Sequence, residues 1–580
     1  MNNPDIRRWV ILLGIGLCAY WLVQSWVGYQ QQKNSEDYTG TPAPSISSNE
    51  GSEDTDIPSN LSTSDGSAVS SGDEDVPDAS LVAPSSQRDA VNNATESVER
   101  EFIEVKTPLH QIWIDPLGGD IVGAKLPEYP VSLKDPDIPT TLLDKRFGRT
   151  YIAQSGLIES NRSNRLPSRP VFTSVSRNYE LEEAAEEDSL EVVLNFEKDG
   201  IQVTKTFVFH KDQYALQVRY DVQNNSSEPY TAGLYGLISR DAGPPDGVKT
   251  GFFRPPAYMG GAVTTPEKRY KRLKFKQLRE QPFEIRGVEG GWIAFLQHYF
   301  ISAWIPPQEG TYVYYAQRRN SGNFWYGFTS AEQTVAPGFS EIYEATFYVG
   351  PKRQRYLNPL ADYLSLTVDY GFFWWLSVPM FAVLEWIQSW AVNWGISIVL
   401  LTIIIKTILF PLSEISYRSM ARMRKLTPQI KRIQEKHGAD RQKLGQEMMA
   451  LYRKEKANPL SGCFPMLLQM PVFFALYWVL IESVELRQAP LMLWIQDLGA
   501  MDPWFILPIL NGASMFLMQR LNPPMADPMQ QRVMMLMPIM FCVICIFMPA
   551  GLVLYWVTNN LYSMGHHYFA LKRAGATKPS

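Results

Sequence analysis

The sequence predicts an α-helical membrane protein of six transmembrane helices that carries an all-β sandwich domain outside the membrane. Three observations predict it. Apolar residues, 45% of the 580, gather near the N-terminus and in the last third. The stretch between about 102 and 350 is built of short segments that alternate or are rich in β-branched residues. Basic residues collect where an alternating count of crossings puts the cytoplasm.

The first element is the apolar run Trp9 to Val27, which follows Arg7 and Arg8 and lacks a small-x-small cleavage signal. Residues 1–29 therefore read as an uncleaved signal anchor with a cytoplasmic N-terminus. Residues 30–99 follow as a tether. Between Gln31 and Val98 stand 13 acidic residues against Lys33 and Arg88. Too few apolar groups are present there to offset the entropy of ordering.

Residues 100–350 read as an exported β-sandwich. "LEVVLNF" (190–196), "IQVTKTFVFH" (201–210) and "YALQVRYDVQ" (214–223) are separated by the turns "KDG" and "KDQ". The four cysteines, Cys18, Cys463, Cys542 and Cys545, all lie in apolar runs outside it, so the domain builds no disulfide. The Cys542/Cys545 pair has no zinc-spaced partner. His110, His210 and His298 share no spacing and read as ordinary surface or core histidines. Residues 351–392 combine Trp and Phe with Asp369, Pro379, Glu385 and Gln388, a composition suited to the membrane interface.

Residues 393–571 then form a bundle with spans at about 393–412, 460–481, 503–521, 533–548 and 552–569. The first and second of these flank a cytoplasmic helical hairpin, 417–457. Between Arg418 and Lys456 it holds 12 basic residues against four acidic ones. Thr427-Pro428 is expected to start one arm, His437-Gly438 to end it, and Asp440 to cap the other. The 37-residue apolar run 533–569 would extend about 55 Å as one helix, against a bilayer core of about 30 Å. "MPAG" (548–551) therefore divides it, leaving a fifth span of 16 residues that invites local thinning. The basic tail 572–580 falls in the cytoplasm.

One residue breaks the apolar pattern. Lys406 sits inside "SIVLLTIIIKTILFPL" (397–412), where a central lysine costs roughly 3 kcal/mol. Thr402, Lys406, Leu409 and Ser413 share a helix face, and Gln469, Asn511, Ser514, Asn559 and Asn560 are polar at similar depth. Together they can line a hydrophilic groove. The plainer readings are interhelical hydrogen bonds for the amides and snorkelling for the lysine. No Asp or Glu lies in the apolar core, which argues against a proton-coupled carrier. No nucleotide loop or HExxH metal helix is present, and the sequence contains no recognisable enzyme site or cofactor site.

At "NPLSGCFPMLLQMPVFFALY" (458–477), "VELRQAP" (484–490), "DPMQQR" (527–532), "PAGLVLYW" (549–556), "LTVDYG" (366–371) and the "FPL" after Lys406, the sequence closely resembles the YidC family of membrane protein insertases. With the anchor, tether and β domain, the resemblance extends over essentially the whole chain, in the form of the Gram-negative members. It implies a five-helix insertase core, in the inner membrane, with a groove open to the cytoplasm and lipid but closed outward. It implies a cation in that groove, whose place Lys406 takes; many bacterial members carry arginine there, and lysine keeps the charge without the planar fork. It further implies substrate contacts at Thr402, Gln469, Met470, Pro471, Phe473, Tyr555 and Trp556. Nascent membrane proteins, the ribosome, Sec translocon components and membrane lipids are the implied partners. The implied sandwich resembles sugar-modifying enzymes without a known catalytic role. The competing classes are a small-solute channel or transporter, and a membrane-tethered sugar enzyme.

Overall fold

The computed structural model describes residues 101–146, 149–159, 169–244, 258–437, 440–455, 464–521 and 528–573. The expected anchor and acidic tether, residues 460–463 of the expected third span, residues 522–527 of the expected cytoplasmic turn and residues 574–580 of the expected tail lie outside them.

The middle of the chain is two antiparallel-dominated sheets of eleven and nine strands. The period-two segments become the strands Ser189–Lys198, Ile201–His210 and Ala215–Asn224, paired in order, with Ser340–Pro351 alongside the last. Register follows the apolar pattern: Val192, Phe207, Val218 and Ala345 lie opposite one another across these four strands, and all are buried. The turn at Asp199-Gly200 has positive φ at both residues, 51° and 76°, the hand that matches the twist of a two-residue hairpin. Aromatic residues fill the interior. Trp292, Trp304, Tyr214, Tyr235, Tyr314, Tyr326 and Tyr348 are all essentially inaccessible, and no cysteine is among them.

Ten helices are described. Two are short, α1 (Phe275–Glu280) and α2 (Gln354–Leu357), and belong to the sandwich and its exit. The rest are α3 (Trp374–Ala391), α4 (Trp394–Ile408), α5 (Phe410–His437), α6 (Arg441–Lys454), α7 (Phe464–Glu482), α8 (Ile506–Leu521), α9 (Pro528–Ile546) and α10 (Ala550–Arg573). Helix α3 buries Ser377, Met380, Phe381, Leu384 and Ile387 and exposes Trp374, Trp375, Trp386 and Trp390 on its other side. Ser377 donates to the carbonyl of Ala475 at 3.1 Å, which pins α3 to α7.

Several boundaries differ from expectation. The helix at the expected second span ends at Ile408 rather than Leu412, because Pro411 has no N–H to continue the ladder; it is accommodated in the first turn of α5. Pro428 does not start a helix but lies inside the 28-residue α5. It is exposed, and Leu426 and Ile430 on either side pack with Met448 of α6, so burial carries the helix through the missing bond. Helix α8 starts at Ile506, not residue 503, because Asp502 accepts hydrogen bonds from the N–H groups of Trp504 and Leu507 and acts as the cap. Helix α9, at the expected fifth span, is 19 residues, not 16: Pro528 opens it and a polar first turn precedes Val533. Helix α10 begins at Ala550 and runs to Arg573, beyond the expected 552–569. Among the described residues, no helix is long and apolar enough to cross a membrane. Helix α4, at 15 residues, extends only about 22 Å.

The sandwich is joined to the end of α7 by polar contacts. Arg353 Nε donates to Glu485 Oε1 at 3.1 Å, and Lys352 Nζ lies 3.6 Å from Glu482 Oε2. His298 Nε2 lies 3.0 Å from the carbonyl of Ile481, and Arg487 donates to that of Pro130 at 2.7 Å.

Candidate functional site

Helix α4 has two unlike faces. Ser397, Ile398, Leu401, Thr402 and Lys406 are buried against the other helices, while Ile403, Ile404 and Ile408 are exposed. The four-residue step from Thr402 to Lys406 puts both on the inner face. Lys406 is 8% exposed and does not reach outward. Its Nζ donates to Gln469 Oε1 of α7 at 3.1 Å and to Ser563 Oγ of α10 at 2.8 Å.

The amide of Gln469 continues the chain of contacts. Its Nε2 donates to the Tyr555 hydroxyl at 3.0 Å and to Asn559 Oδ1. Tyr555, Asn559 and Ser563 are four residues apart and so present one face of α10 to α4 and α7. A second cluster adjoins the first. Asn560 donates to Asn511 Oδ1 and Ser514 Oγ, both at 3.0 Å, and Asn511 donates to Cys545 Sγ at 3.2 Å. All its members are buried. The polar groups expected at this depth thus gather in two adjoining sets that tie five helices together.

No carboxylate among the described residues lies within ion-pair distance of Lys406, and its acceptors are neutral oxygens. An ammonium has three donors, and two are engaged. A buried cation met only by neutral dipoles keeps its field for an incoming anion, whereas a carboxylate partner would cancel it. Toward the ends of α5 and α10, Glu414 pairs with His566 at 2.8 Å, and the His566 ring stacks on Phe410 at 4.1 Å.

The remaining candidates divide by chemistry. Phe473 of α7 stacks on Trp556 of α10 at 4.7 Å, and Phe541 of α9 meets the same indole edge-on at 5.2 Å. Phe473, Trp556, Met470 and Pro471 are half-buried. Tyr555 is 1% exposed and turns into the polar network, away from this aromatic wall. Thr402 is buried, and its hydroxyl donates to the carbonyl of Ile398 at 2.7 Å, inside its own helix. The structure therefore brings Lys406, Gln469 and Tyr555 into direct hydrogen bonding, and Phe473 and Trp556 into another contact. Asn559, already expected to line the groove, joins through Gln469, and the structure adds Ser563, whose signal was its spacing of eight residues from Tyr555. It also adds Phe541, for which no local pattern stands out.

Two family profiles match the chain. The YidC periplasmic domain matches residues 102–383, and the 60Kd inner membrane protein matches residues 386–577. A membrane protein insertase YidC of Cellvibrio japonicus is 42% identical over 97% of this chain and 98% of its own. This chain belongs to the YidC family of membrane protein insertases. The YidC of Ectopseudomonas mendocina is 41% identical over 99% of this chain and all of its own length. A solved structure titled as an active YidC insertase with its first transmembrane domain resolved covers 81% of this chain at 19% identity, with a TM-score of 0.38. YidC proteins are insertases, not enzymes, and Lys406 with its network lies in the segment matched by the 60Kd inner membrane protein profile.

Proposed function

We propose that the Lys406 network is where this insertase receives the polar end of a nascent membrane protein, and that the Phe473–Trp556 wall is where the client's apolar helix leaves for lipid. The observation that carries the reading is a buried ammonium whose acceptors are neutral side chains of two other helices. Moving a polar tail across an apolar slab is slow because the tail must shed water. The polar side chains gathered within the bundle replace that water over part of the path, and Lys406 attracts acidic residues where the effective dielectric is below that of water. The aromatic wall offers apolar surface that a client helix exchanges for acyl chains. No nucleotide is required.

In this reading the chain crosses the inner membrane six times with both termini in the cytoplasm, residues 30–392 lie largely in the periplasm, and α3 rests in the outer interface on its four exposed tryptophans. The apolar part of α9, Val533 to Ile546, would extend about 21 Å, which favours thinning beside it. The basic arms α5 and α6 suit a ribosome by phosphate attraction, with anionic lipid competing for the same charge. Sec translocon components remain candidate partners. Thr402 and Lys406 line the groove floor, with Gln469, Met470, Pro471, Phe473, Tyr555 and Trp556 on the facing helices.

The test is photo-crosslinking from Phe473 and Trp556 during translation of a membrane protein. Adducts to the client's apolar helix support the reading. Client-independent solute flux in proteoliposomes, with no adducts, would instead favour a small-solute channel.

A further inference from the structure

Inside the sandwich is a cavity of about 30 Å³ lined by Gly118, Ser155, Gly156, Arg169, Tyr220 and Tyr235, with Phe172 and Phe196 among its apolar walls. That is room for about two waters or one ion of similar volume. The Arg169 side chain is 8% exposed. One of its nitrogens, Nη2, pairs with the Asp120 carboxylate and reaches the Leu117 carbonyl at 3.3 Å. Its Nε and Nη1 are buried and have no hydrogen-bond partner among the described residues. Leaving a guanidinium N–H unmet in the interior is costly, so a buried donor of this kind implies a bound acceptor.

The charge count points to the acceptor's nature. Lys205 is fully buried behind the same wall, and its amine donates to the carbonyls of Gly118 and Gly119 at 3.1 and 2.7 Å and to Ser155 Oγ at 2.9 Å. Arg169 is thus paired with one carboxylate, Asp120, whose Oδ2 also accepts from Gln154 at 2.9 Å and whose Oδ1 is buried with no partner among the described residues, while the Lys205 amine meets only neutral oxygens. Burial and the nearby Arg169 push the Lys205 amine toward its neutral form, a strain that one added negative charge relieves. The cavity exists because glycines line it. A Cβ at Gly118 would stand 2.6 Å from Arg169 Cζ, and one at Gly156 would stand 2.8 Å from Tyr235 Cε1.

We propose that this cavity, bounded by Arg169, Ser155, Tyr220 and the glycines at 118 and 156, is a binding site for one small monovalent anion of formate or chloride size. The space excludes phosphate and sulfate. A free ion and the terminal carboxylate of a peptide present the same chemistry at the cavity mouth.

The experiment uses the full-length protein in detergent micelles and formate as the probe, read by saturation-transfer NMR. Wild type is expected to transfer saturation to formate, with chloride and bromide competing and sulfate not. Arg169→Gln is expected to weaken the apparent affinity about tenfold or more, as loss of a charge-assisted hydrogen bond does, with Arg169→Lys between the two. Gly156→Ala keeps every charge and forces the Tyr235 ring, another wall of the cavity, to shift, so in folded protein it tests the cavity's shape apart from the arginine. Displacement of formate by a peptide acid, but not by the matching peptide amide, would assign the site to chain ends; displacement by chloride alone would assign it to a free ion. No transfer in wild type, or equal transfer in wild type and a folded Gly156→Ala protein, would mean that the cavity holds water only and would overturn the proposal.

Discussion

Arg353 and Glu485 meet at 3.1 Å, joining the residue just past the sandwich's last strand to the loop that leaves α7. The glutamate side chain is 5% exposed and the arginine 20%. Glu485→Leu strands a largely buried guanidinium and is expected to cost about 2–3 kcal/mol, somewhat less than for a fully buried pair. The double change Arg353→Met with Glu485→Leu should recover most of it. Hydrogen exchange over residues 483–498 reads both. Equal protection in wild type and the single variant would show that the pair does not hold the loop.

Lys406→Ala is expected to reduce insertion of clients with acidic exported tails, and Lys406→Arg to retain it. Gln469→Leu removes one of the two acceptors and should give an intermediate loss. A panel of clients differing only in tail charge, assayed in reconstituted vesicles, measures this. Indifference of all clients to all three changes would remove the charge from the mechanism.

Photo-crosslinkers at Phe473 and Trp556, both half-buried, are expected to capture a client helix more efficiently than one at Tyr555, which is 1% exposed. Stronger capture from position 555 would mean that the tyrosine leaves the polar network when a client arrives.

His110 supplies a pH dependence in the sandwich. It is buried, its Nε2 lies 2.8 Å from the carbonyl of Val349, and burial lowers its pKa from 6.5 to about 4. Between those values the unfolded chain binds a proton that the folded chain refuses. Stability is therefore complete above about pH 6.5 and falls as pH drops toward 4, by roughly 3 kcal/mol over the window. His110→Gln should flatten that part of the profile. Hydrogen exchange of the strand Ser340–Pro351 across pH 4 to 7 checks it.

What the sequence made legible follows from how local each signal is. The strands from Ser189 to Asn224 were readable because apolar and β-branched residues within each segment announce them. Lys406 stood out because it is the lone cation of an apolar run. Its partner Ser563 did not, because a serine in a helix is unremarkable until four-residue spacing to Asn559 and Tyr555 is set against α4. Pro428 misled because proline opens helices more often than it continues them, and only the packing of Leu426 and Ile430 on Met448 decides otherwise. The meeting of Asp120 with Arg169, 49 residues apart on unlike segments, leaves no local trace at all.

The sandwich's interior is closed by indole and phenol rings, with no sulfur bridge anywhere in its strands. Its maturation is therefore independent of thiol-oxidising catalysts. A factor that must be ready before other membrane proteins arrive gains from such autonomy: adding a reductant should leave this domain's melting temperature unchanged.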